Sequence, residues 1–203
     1  METVPHEAHE TFSGEIRTES AKTLLAKMNE HVAHGVEQVV LDVSSCGGEV
    51  AQAKGLYKEL SLMGFKLITR NIGEVKSMAN LLMLAGNERL AVPGSTFLLH
   101  PIAVEHELED HSRMQFDLPT LERTLVRHEA NRNQEQVAKY HRWIGQVKRE
   151  DQELQEILER ETALPKAEAI QLIQAAQPFD AAFALRAGFI NAIASSTASR
   201  AAP

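Results

Sequence analysis

Residues 71–100 read NIGEVKSMANLLMLAGNERLAVPGSTFLLH and contain the pattern on which the rest of the fold depends. The apolar run from Met78 to Ala85 has the composition of a helix, and Gly86 is a typical helix stop. Ser77 is therefore predicted to lie at or beside a helix N-terminus. Unpaired backbone N–H groups at such a position favour developing negative charge.

His100 comes at the end of a predicted strand that begins at Thr96, and Pro101 follows it directly. A serine at a helix start and a histidine at a strand end are a possible nucleophile and general base. Such a pair also arises by accident, because serine is a common helix cap and a lone histidine is most often structural. Evidence from elsewhere in the chain has to decide.

A third piece lies upstream, where the apolar run Val39–Val43 precedes Ser44-Ser45-Cys46-Gly47-Gly48. This pattern predicts a buried strand, a two-glycine turn and then a helix. Paired glycines let backbone N–H groups face a substrate, as an oxyanion hole requires. Taken alone, the two glycines also fit an ordinary strand-to-helix turn.

The order strand, Ser-x-Gly-Gly, helix, strand, Gly-x-x-x-Ser-Met, helix, strand, His-Pro resembles the proteolytic subunit of the Clp protease family. More narrowly, the chain is similar to small bacterial Clp-like serine peptidases of the phage-head-protease type. The residues that carry the resemblance are Ser45-Cys46-Gly47-Gly48, Leu56-Tyr57, Gly73, Ser77-Met78, Ala85-Gly86, Arg89, Pro93, Ser95 and His100-Pro101. The resemblance runs from about Thr11 to Ile193 and implies an α/β, Clp–crotonase-like ββα superhelix with a long helical handle.

The resemblance also implies a role for four residues. Ser77 would be the nucleophile and His100 the general base, while the backbone N–H groups of Gly48 and Met78 would hold the oxyanion. A Ser–Lys dyad with Lys76 is an alternative, although adjacent residues at a helix start point apart.

Two departures from the family pattern matter. Cys46 stands where the family has a proline before the glycine pair. The family's aspartate, the third triad member, aligns with Ala176, and Asp180 falls at the start of the next helix. The third member is therefore unknown, and a backbone carbonyl, a water or a carboxylate such as Asp117 could orient His100 instead.

Strand and helix patterns alternate through the first half of the chain, which predicts parallel strands covered by helices. The predicted strands are 9–16, 38–43, 65–72, 89–92 and 96–100, the predicted helices are 18–34 and 49–63, and Gly73 is a predicted turn. Residues 103–115 are acidic and are predicted to form a loop in which His106 and His111 are exposed.

Residues 118–160 are rich in Glu, Gln, Arg and Lys and contain a single glycine. Apolar residues recur there at three- and four-residue steps, as Val137, Tyr140, Ile144, Val147, Leu154 and Leu158, with Asp151 on the same stripe and Trp143 packing beside it. The pattern predicts one long amphipathic helix or a helical hairpin. The apolar stripe of this segment packs either against other copies of the chain or against another part of the same chain. The domains expected are an α/β head (1–116 and 162–194), a helical handle inserted in it (117–161) and a disordered tail (195–203).

Composition excludes several classes of protein. A net charge of −7 over 203 residues argues against a nucleic-acid partner and an anionic membrane surface. The single cysteine excludes an intrachain disulfide and a cysteine-built zinc site, and the nine histidines form no close ligand pair. Neither a transmembrane run nor a signal peptide is recognisable. A cytoplasmic protein without cofactor or metal is expected.

The resemblance implies a serine endopeptidase that cleaves peptides or unfolded proteins through an acyl-enzyme inside a homo-oligomeric chamber assembled through the handle. An ATP-dependent unfoldase is a possible partner, because the chain itself has no Walker-type phosphate loop. Two alternatives remain: a catalytically weak or inactive Clp-like scaffold protein, and a crotonase-like acyl-CoA enzyme. Ser77 and His100 have no role in the second.

Overall fold

The computed structural model describes residues 6–107 and 113–194, so the predicted disordered tail and His111 lie outside the described residues. The described chain forms two compact units. The first contains residues 6–99, 161–164 and 176–194, and the second contains residues 100–107, 113–160 and 165–175.

Strands and helices alternate along the first half of the chain, and helices dominate the second half. In chain order the elements are β1 (Glu7–Ile16), α1 (Thr18–Ala33), β2 (Gln38–Gly48), α2 (Val50–Ser61), β3 (Lys66–Lys76), α3 (Ala79–Leu84), β4 (Glu88–Ala91), β5 (Thr96–Leu98), β6 (Ala103–Glu107), β7 (Arg113–Asp117), α4 (Leu118–Ala130), α5 (Gln134–Glu161), α6 (Lys166–Ala175), β8 (Phe179–Asp180), α7 (Ala181–Arg186) and β9 (Ala192–Ile193).

A seven-stranded sheet forms the first unit. Strands β1, β2, β3, β4 and β9 lie side by side in this order, and all four pairings are parallel. Strand β5 pairs parallel with the end of β3, and β8 pairs antiparallel with β5. The predicted α/β fold with a parallel sheet is confirmed.

The register between β2 and β3 is fixed by a cross-strand ion pair. Asp42 lies opposite Arg70, and the guanidinium donates to both carboxylate oxygens, at 2.6 and 2.7 Å. Both side chains are less than one-fifth exposed, so water weakens this pair less than it would a surface pair. A one-residue slip would break both bonds and turn the buried residues outward.

Strand β3 is longer than the sequence suggests. The prediction of a turn at Gly73 is wrong, because the strand continues to Lys76. Its pairing with β2 shifts between Val43 and Ser45, and the Gly73 N–H donates to the Asn71 side chain at 2.9 Å. The irregularity lets β3 pair with β4 before it and with β5 after it.

In the second unit, the loop predicted for 103–115 is wrong over its described part. Strands β6 and β7 pair antiparallel there, with Val104 opposite Phe116. The strands were missed because their charged residues conceal the alternation, whereas Val104 and Phe116 pack against an apolar cluster.

Helices α4 and α5 decide between the two predicted arrangements of residues 118–160. They are separate helices joined through Asn131–Asn133, where Arg132 has a φ of +52°. Leu121 of α4 packs with Tyr140, Ile144 and Val147 of α5 in one buried cluster. A helical hairpin is therefore present, and its apolar stripe is covered by the chain itself. No helix in the described ranges is long and apolar enough to cross a membrane.

Gly86 follows the end of α3, as predicted, but close packing is the physical reason for it. The Thr69 hydroxyl on β3 donates to the Met83 carbonyl near the end of α3, at 2.7 Å. A Cβ on Gly86 would lie 2.4 Å from that hydroxyl oxygen and 2.8 Å from the Glu88 carbonyl oxygen. The missing side chain therefore allows α3 to rest on the sheet.

Gly86→Ala is expected to lower the free energy of unfolding by about 2 kcal/mol, because a buried overlap with backbone cannot relax freely. The matched control is Gly55→Ala, at an exposed position of α2 with no atom near the added Cβ. That change should raise the free energy of unfolding by about 0.5–1 kcal/mol, since alanine favours a helix. Urea denaturation measures the free energy of unfolding of both variants. If both substitutions change it in the same direction, the packing described for Gly86 is contradicted.

Candidate active site

Ser77 occupies a sharp turn between β3 and α3. Its φ is +53°, in the left-handed region that costs a non-glycine residue roughly 1–2 kcal/mol. Met78 caps the six-residue helix α3, so Ser77 lies beside a helix N-terminus, as predicted. A serine with a left-handed backbone on a strand-to-helix turn resembles the nucleophile elbow found in some hydrolases. The side chain of Ser77 is half-buried.

Hydrogen bonds hold this turn on both sides of Ser77. Its N–H donates to the Leu98 carbonyl on β5 at 2.8 Å. Its carbonyl accepts from the backbone N–H of Asn80 at 3.2 Å and from the Asn80 side-chain amide at 2.8 Å. These bonds offset the strain, which persists only where the surroundings over-determine the conformation.

Asn80 was missed by the sequence reasoning. It is fully buried, and its amide nitrogen also donates to the Leu98 carbonyl at 2.9 Å, which ties the turn to β5. The signal was available, because Asn80 is the only polar residue in the apolar run from Met78 to Ala85. A buried amide in such a run has to have hydrogen-bond partners.

The glycine pair lies at the end of β2, because that strand continues through Gly48 instead of ending at Val43. Gly47 has a φ of +94°, and a Cβ there would lie 2.7 Å from the Ser77 Cβ and 3.1 Å from the Met78 nitrogen. Gly47 therefore packs directly on the serine turn, a contact that the sequence did not predict.

Gly48 lacks a side chain for a different reason. Its φ is +147°, and a Cβ would lie 2.1 Å from the Ile16 carbonyl oxygen at the end of β1. The first unit thus brings Ser77, Met78 and the Gly47-Gly48 backbone to one place.

Lys76 is engaged elsewhere. Its ammonium group forms an ion pair with Glu74 at 2.7 Å, on the same side of β3 two residues back. An ammonium group that binds Glu74 is not directed at the Ser77 hydroxyl, so this contact argues against the Ser–Lys alternative.

His100 begins the second unit and is half-buried. Its Nδ1 lies 2.8 Å from the carbonyl oxygen of Pro101. Because a carbonyl only accepts, Nδ1 carries the hydrogen in this contact, and the neutral ring then has its lone pair on Nε2. This is the tautomer that a general base needs, and a backbone carbonyl was one of the groups considered for holding it.

Three positions were candidates for the carboxylate that orients His100. Two of them hold aspartates that cap helices, and the third has no carboxylate. Asp117 caps α4 by accepting from the Thr120 N–H at 2.9 Å, and hydrogen bonds from the Thr120 side chain and backbone hold the Asp117 pKa below its usual value. Asp180 caps α7 in the same way, accepting from Phe183 at 2.7 Å. Ala176 has no carboxylate and a φ of +48°.

Asp151 is a carboxylate that the sequence reasoning placed on the apolar stripe without giving it a role. Its Oδ1 accepts a hydrogen bond from the backbone N–H of Ile102 at 3.1 Å, inside the second unit. Burial raises the pKa of Asp151, and the Ile102 N–H and the nearby His100 oppose that rise.

One protein family matches the sequence of this chain, and one solved structure shares its fold. The family model described as Clp protease matches residues 3–139. A solved structure of a ClpP1 mutant from Listeria monocytogenes is similar over 93% of this chain and 92% of that chain, with a TM-score of 0.73. The two sequences are 12% identical, so this likeness shows the shared fold and no more. No curated protein matches the chain.

Ser77→Gly is expected to unfold with a free energy about 1 kcal/mol higher than Ser77→Ala, as measured by urea denaturation. Both changes remove the hydroxyl, but only glycine adopts a φ near +53° without steric cost. The same two substitutions at Ser61, within helix α2, should give the opposite order. An alanine variant at 77 as stable as the glycine variant would show that the backbone there is not strained.

Proposed function

Since the chain belongs to the Clp protease family, we propose that it is a serine endopeptidase that hydrolyses peptide bonds through an acyl-enzyme. The observation that carries this proposal is the strained turn at Ser77 with Gly47 packed against it. Serine caps of ordinary helices need neither the left-handed backbone nor a glycine in contact with their Cβ.

In the proposed reaction, His100 Nε2 removes the hydroxyl proton of Ser77 as its Oγ attacks the peptide carbonyl. The backbone N–H groups of Gly48 and Met78 stabilise the oxyanion of the tetrahedral intermediate. His100 then protonates the leaving amine, and water hydrolyses the acyl-enzyme by the same steps in reverse.

Chain connectivity supports pairing Ser77 with His100. Ser77 donates its N–H to Leu98, and His100 follows Leu98 by two residues. Two trans peptide units span at most about 7.6 Å between Cα atoms, so the chain after β5 starts close to the serine turn. The tautomer favoured by the Pro101 carbonyl suits the proposed base.

The proposed substrates are peptides or unfolded proteins, and the proposed location is the cytoplasm. An ATP-dependent unfoldase is a possible partner, as the resemblance implies. We also propose a homo-oligomeric chamber assembled through residues 117–161. Because the stripe between α4 and α5 is buried within the hairpin, assembly would use its outer face, where Val126 is 64% exposed.

A catalytically weak or inactive Clp-like scaffold protein is the second candidate. The observation that favours it is Ala176, which stands where the family has its triad aspartate. A crotonase-like acyl-CoA enzyme ranks third, because it gives no use to the strained serine.

Wild-type protein is expected to react covalently with a fluorophosphonate probe, with one adduct per chain by intact mass. Ser77→Ala should abolish the adduct, and His100→Gln should slow its formation at least a hundredfold, the scale of a lost general base. Ser61→Ala, a serine removed from an exposed position of α2, should label like wild type. No adduct on wild type would favour the scaffold candidate.

Light scattering at micromolar concentration should give a mass of two or more chains, each of 22.5 kDa. Val126→Glu should lower that mass, because a charge on the outer face of α4 opposes apolar contact between copies. Leu62→Glu, on the first unit at 73% exposure, is the matched control and should leave the mass unchanged. A monomeric wild type would contradict assembly through the hairpin.

A further inference from the structure

We propose that Asp151 is the positioning carboxylate for His100: it anchors the segment that follows His100 and places a negative charge near its imidazole. The inference rests on the proposed function, in which His100 is the general base. It assigns the orienting role to a residue of helix α5.

The position of Asp151 on its helix is the first argument. It falls on the stripe formed by Val147, Leu154 and Leu158, which are all buried. An aspartate there interrupts an otherwise apolar surface and has to keep a partly buried charge. Leucine would serve packing better, so the carboxylate has a purpose other than packing.

Its contact is the second argument. The Asp151 carboxylate accepts the backbone N–H of Ile102, which lies 49 positions earlier in the sequence and two residues after His100. Ile102 is itself buried, at 5% exposure. The segment from His100 to Ile102 is therefore fixed at one end by a charged hydrogen bond and at the other by strand β5.

Electrostatics give the third argument. Burial raises the pKa of Asp151, the charge of Glu150 adds to that rise, and the charge of His100 opposes it. The attraction acts between two charges, so an ionised Asp151 also interacts favourably with a positively charged His100 ring. In the proposed reaction His100 becomes positively charged when it takes the serine proton, and a fixed negative charge nearby stabilises that state.

Two groups thus share the work that a triad aspartate does alone. The Pro101 carbonyl holds the tautomer, and the Asp151 carboxylate supplies the negative charge. Asp117 and Asp180 are bound as helix caps, so neither competes for this role.

The test compares Asp151→Asn with Glu150→Gln. The asparagine keeps an oxygen for the Ile102 N–H but loses the charge, and the glutamine removes an equal charge from the adjacent residue. The ring protons of His100 are followed by NMR titration and are assigned by their absence in His100→Gln. Turnover of a fluorogenic peptide gives kcat, KM and their pH dependence.

Asp151→Asn is expected to weaken the stabilisation of the protonated His100 ring, because the negative charge is lost while an oxygen for the Ile102 N–H is kept. The base must be neutral to accept the serine proton, so activity rises with pH along the acid limb of kcat/KM. That limb should therefore move to lower pH in Asp151→Asn. We expect kcat to fall about tenfold with KM unchanged, far less than when a triad aspartate also holds the tautomer.

Glu150→Gln should leave the acid limb of kcat/KM and the value of kcat as in wild type. Asp151→Leu, which also loses the Ile102 bond, should lose more kcat than Asp151→Asn while remaining folded. If the NMR titration curve of the His100 ring and kcat are the same in Asp151→Asn as in Glu150→Gln, the role of Asp151 is overturned. Absence of turnover in wild type would overturn the proposed function instead, and the NMR titration would still decide on Asp151.

Discussion

Ser77 adopts a backbone conformation that an L-amino acid avoids, and the candidate site depends on what keeps it there. The Leu98 carbonyl holds its N–H, and the backbone and side chain of Asn80 hold its carbonyl. Gly47 closes the arrangement by approaching so near that any side chain would strike the Ser77 Cβ. Three strands and a short helix therefore meet at one residue, and none of them can shift alone.

The length of β3 makes that meeting possible. A strand that ended at Gly73 would never carry the chain to Ser77 in register with β5. The buried Asn71 side chain accepts from the Gly73 N–H and donates to the Thr96 carbonyl, at 2.9 Å each. One side chain thus stabilises the irregularity in β3 and sets the position of β5. Asn71 lies six residues before Ser77 in the sequence, and it acts on β3 and β5, the two strands next to the Ser77 turn.

Local sequence was enough to predict the parallel sheet and the place of Ser77 beside a helix N-terminus, because each leaves a pattern within a few residues. It failed where a partner far along the chain decides. Gly73 looks like a turn unless the Asn71 amide is known to hold the strand together. Asn80 has no evident role in a short apolar helix until its hydrogen bond to the Leu98 carbonyl is known. Charged residues conceal the strand pattern of β6 and β7, in which Val104 and Phe116 pack against the apolar cluster of the helical hairpin.

The absence of an aspartate at Ala176 need not mean the absence of catalysis, because orienting a histidine and charging its surroundings are separable tasks. A neutral carbonyl can select the tautomer at the cost of one hydrogen bond, but it does little for an imidazolium ion. A carboxylate acting at longer range can stabilise the ion without touching the ring, provided that water is partly excluded from between them. Asp151 lies on helix α5 between Val147 and Leu154, which are both buried, and is itself only partly exposed. The same burial raises the Asp151 pKa, so the support proposed for His100 would hold above that pKa and fade as the carboxylate takes up a proton at lower pH.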